Sequence, residues 1–366
     1  MRTWRVRAAS LAAAAAVAGT LAACGSAPAK STPPTTVPAT PATPATPLAT
    51  SLDTARDSWA VVPMAANPAF WQVFVRPANS PAWQLVTPQG VADNGGLIAA
   101  GTGGSLTVAV RPSQALKFSP LATTANGGAQ WSTGLIDAGL AATPDALAAT
   151  GSQLLALLGD GTILASPNAG TTWRTLAGAG AIAGSLAGRG CGAVGVTDVS
   201  FGITEGEVLA AGTCGAASTA VFSHSAGGWQ QVSLPVPGRV VRMMPGLVLV
   251  VSGARLYAAW DSATGWPVSA ALTASGVVAS GSLAPGGAWV LLPGRRAATI
   301  TGPGQPWRSV PAVPAGTAVL AAGPGGAVDA LAVSGGKLTV WRLAAAAAGW
   351  SKIQTINVPV QYGSSG

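Results

Sequence analysis

The side chains of this 366-residue chain that could do chemistry are few and scattered. There is one histidine, His224, three cysteines, Cys24, Cys191 and Cys214, and two tyrosines, Tyr257 and Tyr362. Asp, Glu, Lys and Arg together make up only 8% of the chain. Two thiols and a lone imidazole do not make a four-ligand set, so no metal is expected. No cofactor is expected either: a phosphate-cradling glycine loop, a G-x-S-x-G nucleophile elbow and a reactive Cys/His pair are all missing from the sequence. A two-carboxylate hydrolase needs an acid and a partner facing one sugar. Asp198, Glu205 and Glu207 come nearest to such a set, and they read as loop carboxylates. His224 reads as a solvated turn residue. The chemistry these residue types favour is structural: Cys191 and Cys214, an even pair in a chain that carries an export signal, are expected to form a disulfide.

The elements that would position such residues begin with that export signal. Arg2, Arg5 and Arg7 precede an apolar run from Ala8 to Ala23, the pattern of a secretory signal and shorter than the roughly 20 apolar residues of a comfortable membrane span. The run ends in Leu21-Ala22-Ala23-Cys24, which resembles the bacterial lipobox. The resemblance implies that residues 1–23 are removed and that Cys24 is acylated with a fatty acid such as palmitate. The partner would then be a lipid bilayer, with the chain on the extracytoplasmic side of the cell membrane. Residues 24–52 hold Thr32-Pro33-Pro34, Pro38, Pro41, Pro44 and Pro47 among Ala and Thr, a composition that cannot bury a core and reads as a disordered tether. The net charge of +8 includes the three signal arginines, leaving about +5. Its densest spots, Arg295-Arg296 and Arg239 with Arg242, lack the interleaved aromatics of a nucleic-acid surface, so no nucleic acid is expected; the charge reads as scattered and solubilising, with attraction to an anionic envelope polymer or surface as the alternative.

From 53 to 366 the chain reads as one all-β domain. Short Val, Leu and Thr runs are bounded by Gly, Pro, Ser or Asn, and long helical periodicity is missing. Asp160-Gly161 has the chemistry of a two-residue hairpin turn with positive φ at both centres, and the piece from about 143 to 177 reads as a four-stranded meander. Its turn, Ser166-Pro167-Asn168-Ala169-Gly170-Thr171-Thr172-Trp173, places an Asn that can bond the turn backbone and a Gly that can take positive φ. A Trp after such a turn recurs at Trp83, Trp131, Trp173, Trp229, Trp266, Trp307 and Trp350, at intervals of 48, 42, 56, 37, 41 and 43 residues. That period suits four-stranded propeller blades, so the expectation is a seven-bladed β-propeller of antiparallel blades, each Trp opening an outer strand. The 56-residue interval could hide an eighth, Trp-less blade. Closure calls for a strand from the far end in the first blade, and residues 356–360 supply the candidate.

The turn Ser166–Trp173 resembles the Asp-box, or BNR, repeat S-x-D-x-G-x-T-W, with Asn168 in the Asp position and Gly170 in the Gly position. Thr124–Trp131 resembles a second copy, with Asn126 and Gly128. In that family the repeat is a folding device, so these residues are expected to support structure. Some Asp-box propellers are sialidases, which use an arginine triad and a tyrosine nucleophile. Tyr257 in a blade strand and Tyr362 in the tail do not fit that pattern, so the chain is read as a non-enzyme. The resemblance implies a monomeric binding or assembly scaffold for an envelope protein or glycan. The alternatives are a receptor holding a carbohydrate or small molecule in the central channel, which Trp71, Trp289 or Trp341 would line, and a glycosidase-like enzyme.

Overall fold

The computed structural model describes residues 49–53, 57–64, 71–88, 97–102, 104–110, 119–132, 139–140, 144–215, 218–284 and 286–358. The expected signal peptide, Cys24, nearly all of the tether, and Tyr362 lie outside these residues. Residues 42–366 make one compact unit.

The unit is a ring of seven four-stranded antiparallel sheets, each laid down in chain order from the centre outward. Blade 1 holds β1 (Thr50–Asp53), β2 (Asp57–Pro63), β3 (Trp71–Pro77) and β4 (Gln84–Leu85). Blade 2 holds β5 (Leu97–Thr102), β6 (Ser105–Val110), β7 (Ser119–Thr124) and β8 (Gly139–Leu140). Blade 3, the meander read at 143–177, holds β9 (Pro144–Thr150), β10 (Gln153–Leu158), β11 (Ile163–Ser166) and β12 (Arg174–Ala177). Blade 4 holds β13 (Ala193–Phe201), β14 (Val208–Cys214), β15 (Ser218–Ser225) and β16 (Gly228–Val232). Blade 5 holds β17 (Arg239–Met244), β18 (Leu247–Ser252), β19 (Arg255–Trp260) and β20 (Leu272–Thr273). Blade 6 holds β21 (Ala279–Ala284), β22 (Gly287–Leu292), β23 (Arg296–Ile300) and β24 (Arg308–Val310). Blade 7 holds β25 (Thr317–Ala322), β26 (Val328–Ser334), β27 (Lys337–Leu343) and β28 (Ser351–Asn357).

The second and third strands of each blade are near-continuous apolar runs because both of their faces are covered by neighbouring blades. Gly287–Leu292 is buried at every position. The core is therefore a set of clusters between blades: Trp59, Trp71 and Val73 meet Leu106 and Val108 between blades 1 and 2, and Leu209 and Val221 meet Val248 and Val250 between blades 4 and 5.

Three expectations are corrected. The 56-residue interval hides no eighth blade. It holds two short helices, α1 (Ala181–Gly184) and α2 (Leu186–Cys191), where Ser185 Oγ caps α2 by accepting from Gly188 N at 2.9 Å and Gly192, at φ 67°, ends it. Sequence reading missed them because they are shorter than any window in which helical period shows. Second, Asp160-Gly161 is not a two-residue turn. Leu158 and Thr162 still pair, Asp160 accepts from Thr162 N at 2.8 Å, and of the two only Gly161 has positive φ. Third, the C-terminal strand does not complete blade 1. Residues 356 and 357 belong to β28, which pairs with β27 inside blade 7, and residues 359 and 360 lie outside the described residues. Blade 1 is built wholly from its own end of the chain, starting at Thr50, just ahead of the boundary expected at 53.

Candidate functional site

The two Asn-containing turns share one hydrogen-bond pattern. In Ser166–Trp173, Ser166 Oγ accepts from Gly170 N at 2.9 Å and from Asn168 N at 3.3 Å, while Asn168 Oδ1 accepts from Thr172 N at 2.9 Å. In Thr124–Trp131, Thr124 Oγ1 accepts from Gly128 N at 3.0 Å and from Asn126 N at 3.3 Å, and Asn126 Oδ1 accepts from Gln130 N at 2.9 Å. Both glycines are required twice over. Gly170 and Gly128 have φ of 87° and 78°, and an added Cβ would stand 2.9 Å from Leu121 and 2.6 Å from Val86. The Ser166 and Thr124 hydroxyls and the Asn168 and Asn126 Oδ1 atoms are thus spent on the turns themselves.

Trp83, Trp173, Trp307 and Trp350 immediately precede β4, β12, β24 and β28, and Trp229 is the second residue of β16. Trp131 and Trp266 also follow their turns, but the regular outer strands of blades 2 and 5 begin later, at Gly139 and Leu272. Four of the indoles reach back across a seam. Trp83 Nε1 donates to Asp329 Oδ2 at 2.9 Å, Trp131 to Val86 O at 2.8 Å, Trp307 to Ser269 Oγ at 3.1 Å and Trp350 to Pro311 O at 3.2 Å. Trp173 and Trp266 pack into the seams of blades 2–3 and 4–5, and Trp229 rests against the His224 ring at 4.8 Å between centroids.

Where blade 7 meets blade 1, a polar lock replaces the expected shared strand. Asp329 is fully buried, and it accepts from Trp83 Nε1 and from Arg342 Nε and Nη2, both at 2.7 Å. Arg342 Nη2 also donates to Pro81 O at 3.0 Å. Trp83 N donates to Gln354 Oε1 and Gln354 Nε2 to Trp83 O, each at 2.8 Å. Arg76, whose guanidinium is pulled down by burial, donates to Ala322 O at 3.2 Å and to Ser58 Oγ at 2.8 Å. On the inner side, β1 reaches past its neighbour to blade 6. Asp53 N donates to Ser282 Oγ at 2.9 Å and Trp289 Nε1 to Ser51 Oγ at 2.6 Å, and a Cβ on Gly281 would lie 2.7 Å from Ser51 O. Burial raises the Asp53 carboxyl to about 6, with Arg76 pulling the other way. The signal for this lock was legible after the fact: Arg76 closes the run Val73-Phe74-Val75, and Asp329 interrupts Val328-Asp329-Ala330-Leu331. A charge inside an apolar strand needs a partner.

The other reactive side chains are dispersed. Cys191 and Cys214 are joined, with Cα atoms 5.3 Å apart, so α2 is pinned to the end of β14. Beside them a cleft of about 390 Å³ runs along Ser218, Gln231, Leu234 and Val236. Another of about 390 Å³ lies between blades 1 and 2, lined by Asp57, Gln84, Gly104 and Asn126. His224 is in strand β15 rather than a turn, and Tyr257 is in β19. Asp198 is in strand β13 rather than a loop. It accepts from Met243 N at 2.7 Å and Val199 N at 2.9 Å, and burial raises its carboxyl against the pull of Arg242 and those amides. Glu205 stays in an exposed loop, and Glu207 accepts from Ser223 Oγ at 2.6 Å. Asp261, not singled out from sequence, is raised by burial and by Glu207 while accepting from Ile203 N at 2.9 Å. Among the described residues no three His, Cys, Asp or Glu side chains gather as metal ligands, and no helix is long and apolar enough to cross a membrane. Trp71 and Trp289 are buried in the blades, and Trp341 packs partly buried against the blade 7 core.

No family model and no curated protein matches the chain. Solved structures do. A putative 6-phosphogluconolactonase from Bacteroides fragilis is 12% identical with a TM-score of 0.53, covering 83% of this chain and 96% of its own. One from Bacteroides uniformis gives 12%, 0.50, 83% and 96%. YCF48 from Cyanidioschyzon merolae is 12% identical with a TM-score of 0.46, covering 82% and 94%. At such identities the likeness concerns fold alone: the chain is a seven-bladed β-propeller.

Proposed function

We propose that this propeller is a binding or assembly scaffold of the cell envelope, with turns of the Asp-box type, held extracytoplasmically to the membrane by acylated Cys24. The observation that carries the scaffold reading is how the ring uses its acids. Asp198 is held by two backbone amides, Asp329 by Trp83 and Arg342, and Glu207 by Ser223, each in a different place and each serving a strand or a seam. General acid–base work needs such groups converging on one substrate. What the ring leaves available are its rim loops and the two clefts. A small molecule at the centre is the weaker reading, because β1 leans across to blade 6 there. Affinity capture of the lipidated protein from solubilised envelopes, quantified by mass spectrometry, tests the proposal. A stoichiometric protein or glycan partner is expected, and turnover of a glycoside or lactone panel by the purified protein would overturn it.

A further inference from the structure

In every blade the first and third strands start, and the second ends, on the same face of the ring. Call it the proximal face; the opposite face is distal. The described cations are unequally divided between the two. Arg239, Arg255, Arg296 and Lys337 are each the first residue of a first or third strand, Arg295 sits in the β22–β23 turn, and Arg189 is in α2, in the link entering β13. All six are exposed and all are proximal, and the acids described on that face are only Asp145 and Asp160, both in blade 3. On the distal side Asp57, Glu205, Glu207 and Asp261 stand with Asp53 and Asp329, matched by Arg76, Arg342 and the outer-strand cations Arg174, Arg308 and Lys352. The sequence reading of scattered charge therefore gives way to a basic face over blades 4 to 7.

The same face carries exposed aliphatic side chains. Leu186 is 84% exposed, Val194 74% and Val278 55%, at the starts of α2, β13 and β21. Leu186 and Val194 flank the Cys191–Cys214 bridge, which fixes the segment bearing them. Finally, β1 starts proximally, so the chain leading back from Ala49 to Cys24 joins the ring on this face.

We propose that the proximal face docks on the surface of an anionic bilayer, its arginines over lipid phosphates and Leu186, Val194 and Val278 entering the headgroup layer. Aliphatic side chains ringed by Arg and Lys are the composition of an interfacial membrane contact, whereas a soluble acidic polymer offers the aliphatics nothing. A bilayer also satisfies the chain's geometry. Cys24 stands 25 positions before Ala49, a length that corresponds to about 80 Å at the polyproline rise of roughly 3.1 Å per residue. Docking rests on the surface location proposed above, but not on acylation.

The test uses residues 42–366, which form a compact unit and contain neither signal nor acyl cysteine. Flotation is measured with vesicles of phosphatidylglycerol and phosphatidylcholine and with phosphatidylcholine alone. Binding to the anionic vesicles only, weakening with salt, is expected. The Arg239→Glu, Arg255→Glu, Lys337→Glu triple variant should bind on the order of 100-fold more weakly, about fivefold per cation removed. Leu186→Ser with Val194→Ser, both exposed positions that the fold tolerates, should bind several-fold more weakly. Arg174→Glu, Arg308→Glu, Lys352→Glu, a matched distal control, should bind as the parent does. Equal binding to both vesicle types, equal loss in the distal control, or binding to polyglutamate without binding to vesicles would overturn the proposal. Absence of lipid on Cys24 in cells would sink the anchored reading and leave these vesicle results untouched.

Discussion

Replacing Asp329 by Ala tests how the ring is closed. The side chain is fully buried and meets three donors at 2.7 to 2.9 Å, from Arg342 and Trp83. Its removal leaves the Arg342 guanidinium, itself only 16% exposed, facing the seam without its carboxylate. Breaking a buried pair from one side costs about 3 to 5 kcal/mol, because the remaining charge is left uncompensated. At roughly 2 to 4 °C per kcal/mol for a large domain, the midpoint should fall on the order of 10 °C. Denaturant unfolding followed by intrinsic tryptophan fluorescence is the assay. Arg342→Ala should cost a similar amount, because it leaves the fully buried Asp329 carboxylate without its cation, and the double variant should cost less than the two singles summed, since each removes the same interaction. A shift under about 1 kcal/mol for Asp329→Ala, the size of a surface pair, would refute the reasoning. So would strict additivity in the cycle, since the seam would then be closed by apolar packing alone.

Four more outcomes follow from the geometry of the ring. Cys191→Ser with Cys214→Ser opens a loop of 23 residues, and denaturant unfolding should show a loss of about 3 kcal/mol. Asp53, raised by burial from 3.8 to about 6, holds its proton more tightly folded than unfolded, so its contribution is complete below the unfolded pKa and lost as pH rises through about 6. Asn at 53 should thus stabilise the protein more at pH about 7.5 than at about 4.5 in paired denaturation curves. Asn168→Asp should leave the thermal midpoint nearly unchanged because the acceptor to Thr172 is kept. Gly170→Ala, at φ 87° and 2.9 Å from Leu121, should cost about 1 to 3 kcal/mol by the same measurement.

Fold and site were unequally legible in the sequence. The spacing of turn-plus-tryptophan units announced the blades, because each unit repeats one local problem: a tight turn, then a large side chain seated against the neighbouring blade. Blade 3 was readable nearly to its ends. The closure was not, since residues 356 and 357 carry the alternation of an outer strand and nothing in a strand's own pattern says which blade it joins. The lock that does close the ring lives in pairs far apart in sequence, such as Trp83 with Asp329 and Ser51 with Trp289. Likewise Asp198 read as a loop carboxylate because its satisfaction by Met243 N comes from another blade. Charge asymmetry between faces escaped too, because cations as far apart in sequence as Arg189 and Lys337 come to share one face only when the strand directions are known.

Tethering of the propeller to the membrane through Cys24 is open to metabolic fatty-acid labelling of the wild type and of Cys24→Ala, followed by mass spectrometry of the N-terminal peptide. The mature chain should begin at an acylated Cys24 and fractionate with membranes, and the mutant should carry no label and be released. Label persisting on the mutant, or a wild type recovered unlabelled and soluble, would contradict it.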